Sequence, residues 1–172
     1  MPTATLRPNA AGDKTELTTQ FPNSDFHWDK VDEAITDEDD TWVRGGANEN
    51  QIDLYNLESL PGGVGAISNV ALAIRARRSS ASAGVSLILH IIKTGGTEYQ
   101  HPGGNWSPTT SYDTLSRSWA TNPQTGVAWT VDEVNALQAG VLTSNGAMTS
   151  RVTQVYIEVT YTSTFIPKVM II

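Results

Sequence analysis

Arg151-Val152-Thr153-Gln154-Val155-Tyr156-Ile157-Glu158-Val159-Thr160-Tyr161-Thr162 is the stretch on which the fold turns. Thr153, Val155, Ile157, Val159 and Tyr161 share one face, and Gln154, Tyr156, Glu158, Thr160 and Thr162 the other. A period of two held this long sets one face of a strand on a core. Two more stretches repeat the pattern. Val70, Leu72, Ile74 and Ala76 alternate with Ala71, Ala73, Arg75 and Arg77, and Val85, Leu87, Leu89 and Ile91 alternate with Ser86, Ile88, His90 and Ile92. In the last of these, His90 lies opposite the apolar row and is expected to point outward or towards a loop. The small polar link over 78–84 reads as a hairpin connection, so its flanks are expected to pair antiparallel.

Weaker strands are placed at 3–7, 26–31, 41–43, 52–57, 97–101 and 114–120, several of them separated by Pro-Gly and Gly-Gly turns. One helix is expected over 131–139. Thr130-Val131-Asp132-Glu133 forms a capping box, Val131, Val134 and Leu137 share a face, and Gly140 stops the helix. A single short helix cannot supply the crossovers of a parallel sheet. The expected fold is therefore all-β: an antiparallel β-sandwich, jelly-roll-like, of about eight strands, filling 1–162.

Composition agrees. Of 172 residues, 21 are Thr, 13 Val and 11 Ile, a strand-forming make-up. There is no cysteine, which excludes disulfides, thiolate metal sites and thiol nucleophiles. No apolar run reaches the roughly 18 residues of a membrane span, and Met1-Pro2-Thr3-Ala4-Thr5 lacks the stretches of a signal peptide. The net charge of −7 argues against nucleic-acid binding. Charge is uneven: residues 1–60 carry 13 acidic and 4 basic side chains, while 61–172 carry 5 and 7.

Catalytic chemistry finds no support. His27, His90 and His101 fall in no metal or nucleophile spacing, the acids beyond residue 60 suggest no glycosidase pair, and no Gly-x-Ser-x-Gly elbow exists. The chain is expected not to be an enzyme and to need no cofactor. The acidic run from Asp25 to Asp40 reads as a solvated face, as a partner patch, or as a structural calcium site at Asp37, Asp39 and Asp40. Arg75 and Arg77 would meet that acidic face on a neighbouring copy. Tyr99, Trp106, Tyr112 and Trp119, in a turn-rich segment, could pack over the sandwich ends, anchor an interface or stack on sugar rings. The segment 163–172 is an apolar tail. Phe165, Ile166, Val169, Met170, Ile171 and Ile172 would dock on a partner subunit in a homo-oligomer, or fold back on their own domain.

Four pieces, Ala4-Thr5-Leu6-Arg7-Pro8, Asp53-Leu54-Tyr55-Asn56-Leu57, the segment from Trp129 to Val141, and Arg151 to Val159, together resemble a family of small β-rich structural proteins of tailed bacteriophages and prophages. The resemblance implies a capsid decoration or other accessory protein, with virion proteins as partners and the virion as location. The competing reading is an extracellular carbohydrate-binding module using the exposed Trp and Tyr side chains.

Overall fold

The computed structural model describes residues 1–80, 86–144 and 149–164. It is an antiparallel β-sandwich of jelly-roll type. In chain order the strands are β1 (Thr3–Leu6), β2 (Pro8–Thr15), β3 (Thr19–Phe21), β4 (Trp42–Arg44), β5 (Gln51–Leu57), β6 (Val64–Arg78), β7 (Leu87–Thr94), β8 (Thr97–Gln100), β9 (Asp113–Trp119), β10 (Gln138–Ser144) and β11 (Ser150–Ser163). One sheet runs β3-β4-β11-β6-β9, with β1 also on β11. The other runs β2-β5-β10-β7-β8. Among the described residues no helix is long and apolar enough to cross a membrane.

The decisive stretch is the spine of the first sheet. β6 pairs along one side of β11, while β1 and β4 share the other. Val155, Ile157 and Val159 point inward as the alternation requires. Val152 joins them in the core instead of Thr153, because the register slips between Val152 and Gln154. Such a bulge turns two consecutive side chains against one partner. Facing them across the sandwich are Tyr55, Ile88, Ile92 and Val141 of the second sheet. Each such burial stabilises by about 1.5–3 kcal/mol.

Several expectations need correction. β6 and β7 lie in different sheets, so the strands flanking 78–84 do not pair as a hairpin; Val85 lies outside the described residues. On β7 the row facing the main core is Ile88, His90 and Ile92, while Leu89 and Ile91 belong to a second cluster on the outer face. The 26–31 strand is replaced by a 3₁₀ turn, His27–Lys30. The helix α1 covers only Val131–Asn135. Its capping box forms as expected: the Glu133 amide donates to Thr130 Oγ1 at 3.2 Å, and the Thr130 amide to Glu133 Oε2 at 2.8 Å. Gly140 does not end the helix. It sits within β10, where a Cβ would run into the carbonyl of Asp53.

β2 carries a further irregularity. Ala11 is opposite Tyr55 and Thr15 opposite Asp53, so Gly12-Asp13-Lys14 loops out against Leu54 alone. The loop reaches over the outer face of the second sheet. Asp13 pairs with Lys93 of β7 and bonds Gln138 of β10, while Lys14 Nζ lies 3.0 Å from Glu98 Oε1 on β8. Gly12 permits the crossing, because a Cβ there would sit 2.5 Å from the Leu54 carbonyl oxygen. Leu54, Ile91 and Leu142, which face outward from this sheet, are buried.

Candidate functional site

Where β2 and β3 meet the 3₁₀ turn, the first sixty residues fold around one buried carboxylate. Asp53 is wholly enclosed. Its Oδ1 accepts from the amides of Glu16 (2.7 Å) and Leu17 (2.9 Å), and its Oδ2 from His27 Nδ1 (2.6 Å) and the Tyr55 hydroxyl (3.2 Å). A buried carboxylate is tolerable when its lone pairs are filled in this way. Burial, and then the charge and hydrogen bond of Asp53, push the Tyr55 hydroxyl well above its ordinary pKa, so it stays a donor. With Nδ1 of His27 given to Asp53, Nε2 is the ring's remaining polar atom.

In front of this anchor opens a cleft of about 210 Å³, walled by Ala11 and Thr15 of β2, Gln20 of β3 and the run Asp25-Phe26-His27-Trp28, with Tyr55 at its base. The Phe26 ring stacks on Trp28 at 6.1 Å and 13°, yet Phe26 remains 62% exposed. Asp25 holds a left-handed backbone (φ 60°), a conformation rare outside glycine. Gln20 Nε2 donates to the carbonyls of Ser24 (3.2 Å) and Asp25 (3.3 Å), which fixes its amide orientation. Its Oε1 is then buried with no donor among the described residues. The lining thus combines an exposed aromatic face with acceptors, one carboxylate and, among the described residues, no lysine or arginine.

The aromatic residues singled out in the sequence are placed otherwise. Trp119 is 6% exposed, with the His101 ring edge-on to it at 4.8 Å, and it offers no face to a sugar. Its carbonyl accepts from Trp129 Nε1 at 3.0 Å. Tyr99 and Trp106 are half-buried against the core, and Trp106 bridges backbone to backbone with Ile88. Tyr112 lies under the guanidinium groups of Arg75 (5.7 Å) and Arg77 (5.2 Å) and donates to Asp39 Oδ1 at 2.9 Å.

The charges expected to meet across two copies are paired within one chain: Arg75 with Glu38, and Arg77 and Arg151 with Asp39. Partial burial works against the charge on Asp39, but hydrogen bonds from Arg151, Tyr112 and Arg77 outweigh it and bring its pKa down to about 2. Asp37 accepts from Thr41 (2.7 Å) and Thr153 (3.0 Å). Among the described residues no three acidic or histidine side chains are grouped to hold a metal ion, so Asp37, Asp39 and Asp40 form no such cluster. His90, expected outside, is 1% exposed, and its Nε2 donates to the Leu115 carbonyl at 2.8 Å. The tail residues Phe165, Ile166, Val169, Met170, Ile171 and Ile172 lie outside the described residues.

From sequence alone, His27 is weighed only as a metal ligand or nucleophile, and Phe26, Trp28 and Gln20 are assigned no functional role. The available signal was Phe21-Pro22-Asn23-Ser24-Asp25-Phe26, a turn-forming run with an aromatic at each end. Phe21 is also exposed, and it stacks on Trp42 at 5.8 Å.

No protein-family model matches the sequence, and no curated protein matches it. Solved structures of similar fold include the CBM22-1 xylan-binding domain from Paenibacillus barcinonensis Xyn10C, at 11% identity and a TM-score of 0.46, covering 91% of this chain and 98% of that one. A CBM4 protein matches at 11% identity and 0.43, covering 70% and 83%. A family 16 carbohydrate binding module-2 matches at 8% and 0.35, covering 68% and 75%. The expected kinship with bacteriophage virion proteins is overturned: the similar structures are carbohydrate-binding modules. With it fall the capsid-decoration role, the virion partners and the virion location.

Proposed function

We propose that the chain is a non-catalytic carbohydrate-binding module whose site is the cleft between β2, β3 and the 3₁₀ turn. One observation carries the reading: an exposed aromatic ring, backed by a second, stands at the mouth of a cleft lined with hydrogen-bond acceptors. Sugar rings present an apolar C–H face that stacks on aromatic side chains and an edge of hydroxyl donors. Phe26 matches the first. Gln20 Oε1 and the Asp25 carboxylate match the second, with His27 Nε2 as a further polar partner. The absence of lysine and arginine from the lining among the described residues, within a segment of 13 acids and 4 bases, disfavours uronic or sulfated sugars and favours neutral ones.

The test is a screen of the intact chain against immobilised neutral and anionic glycans, repeated with Phe26→Ala. The expected result is binding to neutral glycans, lost in the variant with the thermal melt unchanged. Binding that survives Phe26→Ala, or retention on anionic glycans alone, rules out this site.

A further inference from the structure

Resting on that reading, we infer that the cleft takes a single sugar ring offered at a chain end rather than a length of polysaccharide. Three features limit it to one ring. Its volume of about 210 Å³ falls below the roughly 300–1,000 Å³ of pockets for larger ligands. It is blind at depth, because Tyr55 is 1% exposed and Asp53 behind it is fully buried, so a chain cannot thread through. It also has one aromatic platform. Trp28 covers one face of Phe26, which leaves a single free ring face, and the next exposed aromatic, Phe21, stacks on Trp42 and does not line the cleft.

The polar groups point the same way. Gln20 Oε1 is a buried acceptor in want of a donor, and the Asp25 carboxylate on the same lining is a second acceptor. Two acceptors call for two hydroxyl donors on one ring. An internal ring has surrendered hydroxyls to its glycosidic bonds on both sides. A terminal ring keeps those on its free side and can enter a blind cleft with that side leading.

Calorimetric titration of the intact chain separates the possibilities. The probes are the methyl glycosides of glucose, xylose, galactose and mannose, and linear oligosaccharides of the same sugars from disaccharide to hexasaccharide. The expected result is binding of at least one methyl glycoside, with affinity for its oligomers changing by less than about tenfold along the series. Affinity that climbs by more than about tenfold from disaccharide to hexasaccharide overturns the single-ring inference while leaving carbohydrate binding intact. Failure of every probe to bind overturns the carbohydrate reading, and this inference with it.

Discussion

The aromatic residues of the early segment, around β3 and the 3₁₀ turn, and those of the later one, from β8 to α1, are handled in opposite ways. In the later segment Trp119 and Trp129 are buried in the core, joined by a hydrogen bond, and Trp106 and Tyr99 lean on the same core. In the earlier one Phe21 and Phe26 stand in solvent at 48% and 62% exposure, each stacked on a tryptophan beneath. A tryptophan has more surface to hide and an indole N–H to satisfy, so it is the residue that a sandwich end absorbs. A phenylalanine held outside, with its far face propped by another ring, gains little from its position in folding terms. Exposure of that kind marks a surface kept free for contact.

The sharpest way to break the comparison is by truncation. Trp119→Ala should destabilise by about 3–5 kcal/mol in chemical denaturation, as large-to-small changes in packed cores do. Phe26→Ala should stay within about 0.5 kcal/mol of the parent while abolishing glycan retention. If the two variants melt alike, the division between structural and contact aromatics is false.

Two ionisable groups with displaced pKa values, His90 on β7 and Glu33 beyond the 3₁₀ turn, pull stability in opposite directions with pH. Burial lowers the pKa of His90 to about 4, with Arg117 and His101 adding to the fall and the Leu115 carbonyl resisting it. Above pH 6.5 the ring is neutral folded or unfolded and contributes nothing. As pH falls from 6.5 to about 4, only the unfolded chain gains the proton, so stability should decline by about 3 kcal/mol and then level off. A His90→Asn variant should lose that acid slope in denaturation midpoints taken across the range.

Glu33 behaves in reverse. Burial raises its pKa to about 7, with Asp37 and Asp32 adding to the rise and a hydrogen bond from Thr41 opposing it; its Oε2 is buried without a donor among the described residues. Below pH 4.5 the carboxyl is protonated in both states. Between 4.5 and 7 the unfolded chain releases the proton first, so stability falls as pH rises. Glu33→Gln should therefore stabilise the protein by about 1–3 kcal/mol above pH 7 and by little below pH 4.5. Equal gains at both ends of the range would show that charge burial is not the cause. The smallest effect belongs to the helix that closes the later segment: Thr130→Ala should cost roughly 1 kcal/mol through the lost cap, read from the thermal melt.

What the sequence made legible follows from where one face of a strand is polar. β11 and β6 announce themselves through strict alternation, and the capping box of α1 through residue types at fixed spacing. β7 misleads because both its faces are apolar, so a period of two cannot say which row meets the larger core; Ile88, His90 and Ile92 do. β2 escapes notice because Pro8-Asn9-Ala10-Ala11-Gly12-Asp13-Lys14-Thr15 is small and polar, and its pairing is broken by a loop that no periodicity encodes. The cleft is harder still. Its parts come from β2, β3, the 3₁₀ turn and β5, and their convergence depends on the four hydrogen bonds of Asp53, which no local spacing reveals. The aromatics of the later segment drew attention because they sit among turns. Tertiary packing, which the turns do not reveal, put them inside.

The loop at Gly12-Asp13-Lys14 also interrupts one edge of the five-stranded sheet. β2 is a free edge of the five-stranded sheet, and a free edge is a template onto which another chain can lay a strand. Here the template is cut. Pro8 offers no amide, and three successive residues leave the strand to cross the sheet, so the outward row of donors and acceptors is never long enough to register an incoming strand. The opposite edge, β8, is four residues long and holds Glu98 of the Lys14 pair. One ion pair thus links two edges of the same sheet, and neither edge offers a long unbroken strand.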